Sequence, residues 1–327
     1  MKNLIERIKG EKFNFSYDVS GLGAYIDEQS EDIWADLLFS SGLTSRVNVL
    51  EGVKGSTEIK LLNSSMEVQS ASNCTYTSDG SIVFTDEVLS TKRLYVQQDL
   101  CNENLNDTWA QMLLAIGANR QDREMPLEDI ITAYLIKATK KKNQDLMFLG
   151  DTASGNAELA HYDGFVKLWD NDPLLTEVTT SQTAITKDNA FDIAIELYEG
   201  INPVLFDNGV SVEIITGRDT VRKIITQVYN DKDYASQIAE EESNGELAIT
   251  LPTTNITVRS YPQLNGLEKM YAVPYNYMFF GTDVESDIDG LEIRYIESED
   301  QLRISNKWRS GVRYVYPEYF SRLTLTP

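Results

Sequence analysis

The sequence predicts an α+β fold, with strands and helices segregated along the chain more than alternating through it. Three observations predict it. Residues 55–99 hold short runs rich in Thr, Val and Ile but poor in large apolar side chains. One long helical repeat runs from Pro126 to Leu149. An α/β stretch at 186–254 is then followed by β-rich sequence to the C-terminus.

The chain has 327 residues, 42% of them hydrophobic and 24% charged. That is an ordinary globular composition, ample for a buried core. The formal net charge is −22. So acidic a surface repels phosphate backbones and argues against sequence-reading of nucleic acid. It is compatible with a wall that holds DNA without adhering to it. The two cysteines, Cys74 and Cys101, form neither a C-x-x-C pair nor a zinc spacing. The N-terminus, MKNLIERIKGEKFNF, lacks the apolar stretch of a signal peptide. No window approaches the ~18 apolar residues of a membrane span. The chain is expected to be soluble and made in the cytoplasm.

Taken in order, residues 1–54 read as an extended arm with one short helix, EDIWADLLFSSGL, stopped by Gly42. Gly21 and Gly23 in SGLGAY form a lone G-x-G without the third glycine of a dinucleotide loop. In 55–99, STEIKLLN, MEVQSAS, SIVFTDEV and KRLYVQQ are strand-like, and Ser78-Asp79-Gly80 marks a tight turn. A hairpin with so little core is marginal alone and is expected to lean on something else, a neighbouring subunit being one candidate. NENLNDTWAQMLLAIG reads as a short amphipathic helix. Pro126 then suits a first helical turn, and Leu127, Ile130, Ile131, Tyr134, Leu135 and Ala138 follow at helical spacing. Lys140, Lys141 and Lys142 read as the solvated face of that helix. HYDGFVKLWD reads as a loop entering a strand. Thr186 is expected to cap a helix ending at Gly200. VSVEIITG and GELAITLP read as strands around a helix in DTVRKIITQVYND, with Glu240, Glu241 and Glu242 in a loop. After 255, NITVRSYP, MYAVPYNYMFF, LEIRYIE, QLRISNKW and GVRYVYPEYF are strand-like.

Catalytic chemistry is sparse. The sequence holds no P-loop, no H-E-x-x-H, no G-x-S-x-G and no kinase set. His161 is the only histidine, and its neighbour Asp163 does not by itself make an acid–base pair. DVESDIDGLEIRYIE, residues 283–297, imitates a calcium loop. With Glu285 at position 1, Gly290 falls at position 6, but Ile296 occupies position 12, where a bidentate glutamate belongs. Leu291, Ile293 and Tyr295 alternate with polar residues, so Asp289-Gly290 reads as a turn launching a β hairpin. No catalytic residue, metal site or cofactor is expected.

The order of these parts resembles the major capsid proteins of tailed bacteriophages, the Hong Kong 97-like fold, over nearly the whole chain. Leu105 to Trp109 resemble the segment leaving that family's extended hairpin loop, and the helix from Pro126 resembles its spine helix. HYDGFVKLW is similar to the stretch following the spine in capsid proteins of phages infecting Bacteroidota. YNYMFFGTDVESDIDGLEIRYIESEDQLRISNKWRSGVRYVYPEYF resembles the closing region. The resemblance implies an N-terminal arm at 1–54, the hairpin loop (E-loop) at 55–99, and a peripheral domain at 100–185 and 285–327 with its spine helix at 126–149. It implies an axial domain at 186–284. Asn73, Thr75, Tyr76, Asp79 and Gly80 become candidate inter-subunit contacts at the hairpin tip, and Glu240, Glu241 and Glu242 a candidate axial loop.

The implied function is structural. The subunit would assemble with itself into hexamers and pentamers of an icosahedral head enclosing double-stranded DNA. Its partners would be portal, scaffolding and head-completion or decoration proteins, and its location the virion, with no membrane. Scaffolding is expected to act in trans, since 1–54 is short for a helical scaffold. Lys60 and Lys92 match no covalent cross-linking site, and none is expected. The alternatives are an encapsulin-like compartment shell, a soluble α/β enzyme on 186–254, or another virion part.

Overall fold

The computed structural model describes residues 42–66, 80–101, 127–230, 240–243, 246–252, 254–283, 291–296 and 301–326. The chain divides into two units, one drawn from Met1–Trp34, Tyr95–Lys137 and Asp287–Lys307, the other from Ala35–Leu94, Ala138–Ser286 and Trp308–Pro327.

The larger unit is organised around a seven-stranded sheet of order β5-β14-β10-β6-β9-β8-β7. Its strands are β5 (Thr176–Thr180), β6 (Glu213–Thr216), β7 (Glu240–Ser243), β8 (Glu246–Thr250), β9 (Thr257–Ser260), β10 (Met270–Val273) and β14 (Ser321–Leu325). β5 and β14 lie outside 186–284, so the sheet extends beyond the range expected for the axial domain. Two helices cover it, α3 (Ala190–Glu199) and α5 (Arg218–Asn230). Each buries one apolar stripe: Ile193, Ala194 and Leu197 on α3, Val221, Ile224 and Val228 on α5. They meet Ile214, Val258, Met270 and Ala272 in one continuous core.

Helix α3 begins later than the sequence suggests. Asn189, not Thr186, occupies the N-cap position. The Thr186 amide donates to Asn189 Oδ1 at 2.7 Å, and the Asp188 amide to Thr186 Oγ1 at 3.3 Å, so Thr186 shapes the approach to the helix. Gly200 does end it, at an ordinary φ of −81°. Glycine is needed there because a Cβ would fall 2.2 Å from Val178 Cγ2 on β5.

The long helix α1 is present as Leu127–Leu149. Its 23 residues span about 35 Å. In its second half Leu146, Met147 and Phe148 are buried, while Lys141 and Lys142 are exposed. Gly150 and Gly164 follow it in backbone contact, Gly164 N donating to Gly150 O at 2.8 Å. The strand expected in HYDGFVKLWD is instead helix α2 (Phe165–Asn171). Phe165, Val166 and Trp169 lie on one helical face and are buried, and the Trp169 ring contacts Phe165, Tyr271 and Phe320. A last short helix, α4 (Pro203–Asp207), opens on an Asn202 cap that accepts from the Val204 amide.

The expected strand MYAVPYNYMFF is divided by Pro274 and a 3-10 turn, Tyr275–Tyr277, into β10 and β11 (Met278–Gly281). β11 pairs in parallel with β1 (Asn48–Leu50) and antiparallel with β13 (Gln301–Tyr314). β13 contributes residues 301–307 to the smaller unit. There it forms the antiparallel hairpin expected after Gly290, with β12 (Leu291–Ile296) in register from Leu291↔Asn306 to Ile296↔Gln301. Arg303 Nε and Nη2 donate to the two Asp99 oxygens at 2.8 and 3.0 Å, Asp99 lying in β4 (Lys92–Cys101).

Candidate functional site

Strands β2 (Ser56–Met66) and β3 (Gly80–Ser90) form a ribbon with unbroken register from Ser56↔Ser90 to Met66↔Gly80. Opposite residues share a face, and successive residues alternate between faces. One face carries Thr57 with Leu89, Ile59 with Glu87, and Leu61 with Thr85. Leu61 and Leu89 there are buried on the molecule. The other carries Glu58 with Val88, Lys60 with Asp86, Leu62 with Phe84, and Ile82. It is open, and among its charges it exposes four apolar side chains: Phe84 is 70% exposed, Ile82 62%, Leu62 55% and Val88 49%. Burying each such side chain stabilises an association by about 1.5–3 kcal/mol. Four together give this thin ribbon an exposed apolar patch.

The ribbon is fixed at its root. Gly281 on β11 and Gly311 on β13 are register partners, and the hairpin end seats in the notch they leave. A Cβ on Gly311 would fall 2.2 Å from the Ser90 carbonyl oxygen, and one on Gly281 2.7 Å from Leu89 Cδ2. Thr91 Oγ1 donates to the Val53 carbonyl at 2.8 Å, and the Thr91 amide to Gly55 O at 2.6 Å. Arg313 Nη2 reaches Glu87 Oε2 at 2.5 Å. The Tyr316 hydroxyl donates to the Leu62 carbonyl at 3.5 Å, from a left-handed backbone (φ 55°). Gly281, Gly311, Glu87 and Arg313 were not singled out by sequence reasoning. A lone glycine within strand-like MFFGTD and RSGVRY is the usable signal, since it marks close backbone approach.

Of the expected tip contacts, Asn73, Thr75, Tyr76 and Asp79 lie outside the described residues. Gly80 is the first residue of β3, paired with Met66. The expected loop at Glu240, Glu241 and Glu242 is a strand. The three glutamates pair with Ile249, Ala248 and Leu247, so β7 is held by backbone bonds to the buried strand β8 and not by its own propensity. The short helix before Gly42, the helix at NENLNDTWAQMLLAIG, and Glu285, Asp287, Asp289 and Gly290 also lie outside the described residues. Among the described residues no group of three or more His, Cys, Asp or Glu could hold a metal. No described helix is long and apolar enough to cross a membrane.

His161 is exposed, and Asp163 turns to other partners. Asp163 Oδ1 accepts from Thr152 N at 2.8 Å, Thr152 Oγ1 at 2.7 Å and Lys167 Nζ at 2.9 Å. Lys167 also holds Asp151 at 2.5 Å. Burial pushes the Asp163 carboxyl up, but the bonds from Lys167 and Thr152 together bring it below the usual carboxylate value. The cluster closes the 151–163 loop and offers no acid–base pair.

No protein-family model and no curated protein matches the sequence. Solved structures do match. A chain of the satellite phage P4 procapsid including size determination (Sid) protein aligns at TM-score 0.56, covering 91% of this chain and 100% of that one at 12% identity. The capsid of Myoviridae phage XM1 aligns at 0.57, covering 88% and 92% at 11% identity. The virus-like particle from Pyrococcus furiosus aligns at 0.52, covering 92% and 99% at 10% identity. The fold is Hong Kong 97-like. Chains of phage capsids and of a virus-like particle share that fold.

Proposed function

We propose that the chain is the major capsid protein of a tailed bacteriophage. Copies assemble into hexamers and pentamers of an icosahedral head around double-stranded DNA. The observation that carries this is the β2–β3 ribbon: it is rigidly rooted, yet its outer face leaves Leu62, Ile82, Phe84 and Val88 in water on a fold shared with shell-forming chains. A repeated symmetric contact covers such a face on every copy at once. The net charge of −22 supports an inner wall that does not adhere to packaged DNA. Portal, scaffolding and head-completion or decoration proteins are the partners this role requires. The HYDGFVKLW segment favours a phage of Bacteroidota. The role is structural and uses no cofactor, and the location is the virion.

The test is electron microscopy and sedimentation of the purified, concentrated full chain. Closed shells or hexameric plates are expected. A monomer that persists through changes of salt, pH and concentration would overturn the proposal. One observation favours a second reading, a compartment shell: the likeness to the Pyrococcus furiosus virus-like particle. Gene neighbours separate the two, portal and terminase genes supporting the phage head and a lone cargo enzyme the compartment.

A further inference from the structure

The first described residues are seated on the seven-stranded sheet over a buried carboxylate. Residues 42–47 form a turn in which Arg46 N and Val47 N donate to Leu43 O at 3.0 and 3.2 Å, and Ser45 Oγ to Gly42 O at 3.1 Å. Leu43, Thr44 and Val47 are buried. Beneath them lies Glu246, the first residue of β8, its side chain only 6% exposed. Gly42 lies so close that a Cβ there would fall 1.6 Å from Glu246 Oε1, so any larger residue displaces the turn or the carboxylate.

Three charged groups bear on Glu246. Arg46, on the turn itself, places Nη2 3.7 Å from Glu246 Oε2. Arg259, on β9, places Nη1 3.9 Å away. Both distances exceed hydrogen-bond reach. Arg259 is committed to Glu213 on β6, with Nε to Oε2 at 2.7 Å and Nη2 to Oε1 at 3.1 Å. Among the described residues, the other titratable groups nearby are Tyr261 and Tyr275, their hydroxyls 3.1 Å apart.

We propose that Glu246 makes the seating of residues 42–47 proton-linked, so that the turn docks more tightly in mildly acidic solution and loosens as pH rises. Desolvation beneath the turn raises the Glu246 carboxyl above its ordinary 4.5, Arg46 and Arg259 pull it down, Glu213 pushes it up, and burial prevails. Once the turn lifts, water reaches the carboxylate and its affinity for the proton falls back toward the ordinary value. The docked state therefore binds the proton more tightly. Its advantage is complete below the ordinary carboxylate value and is lost as pH rises through the docked-state value. Burial pushes the Tyr261 and Tyr275 phenols upward, and Arg259 stays charged, so none of them titrates in this window. The device operates in the folded chain and does not depend on shell assembly.

Amide hydrogen exchange of residues 43–47 in the full chain, measured from pH 4 to pH 8 and corrected for intrinsic exchange, tests it. Protection is expected to rise as pH falls, by at most about tenfold per pH unit for one linked proton. Glu246→Gln should abolish that slope while keeping the turn protected at pH 8. Gly42→Ala should lower protection at every pH. Protection in the wild type that does not vary with pH, or that varies identically in Glu246→Gln, would overturn the proposal.

Discussion

The seven-stranded sheet and the β2–β3 ribbon are both β structure, yet they solve opposite problems. In the sheet, α3 and α5 cover the apolar residues of β6, β9 and β10, and the core closes within one chain. In the ribbon only one face meets the molecule, near its root, and the other keeps four large apolar side chains in water. A long two-stranded ribbon is at best marginal without support. Here Thr91, the Gly281–Gly311 notch and the Glu87–Arg313 pair hold it at one end. The difference separates β structure whose apolar residues the chain itself covers from β structure whose apolar residues it leaves in water.

The comparison breaks most sharply at the sheet. Ile224→Ala removes a fully buried side chain between α5 and the strands and should cost about 2–5 kcal/mol. Urea denaturation of the full chain measures it, and a loss under 1 kcal/mol would mean that the lobe does not close as described. Gly311→Ala comes next. Its methyl group would meet the Ser90 carbonyl, and such overpacking should cost about 1–3 kcal/mol. Faster hydrogen exchange at residues 87–91, with α5 unchanged, would locate that loss at the ribbon root.

The parts legible in sequence were those whose signal is local. The α1 repeat, the Gly200 stop and the alternation in Leu291, Ile293 and Tyr295 each report a nearby period or cap. The ribbon was legible for a subtler reason: strand propensity without enough apolar residues to make a core. What escaped depends on distant partners. Helix α2 is too short to show a period, and burial of Phe165 and Trp169 decides it. β7 is three glutamates and a serine that form a strand because β8 offers them an edge. The Glu87–Arg313 clamp joins residues 226 apart, and no local pattern announces it.

A smaller effect lies at the 151–163 loop. Partnering holds Asp163 and Asp151 below the ordinary carboxylate value. The stability they contribute is therefore present above that value, near pH 4, and lost as pH falls through the lower folded-state one. Lys167→Met should flatten this acid limb of the stability–pH profile and lower neutral-pH stability by the same amount, which is small because exposed ion pairs contribute little. An acid limb as steep as the wild type's would show that the cluster is not its source.

The smallest effect on the isolated fold should accompany the largest effect on assembly. Phe84 is 70% exposed on the outer face of the ribbon, opposite Leu62. Phe84→Ser removes almost no intrachain contact, so the unfolding midpoint should move by no more than the ~0.5 kcal/mol typical of surface changes. If the face is covered by another copy, the same change forfeits about 1.5–3 kcal/mol at every equivalent contact. A shell multiplies that loss by the number of its subunits, so closed particles should vanish under conditions where the wild type assembles. Sedimentation and electron microscopy of the two proteins side by side measure this. Shells that form equally well from Phe84→Ser would show that the outer face is not the interface, and the contrast between ribbon and sheet would then be one of exposure alone.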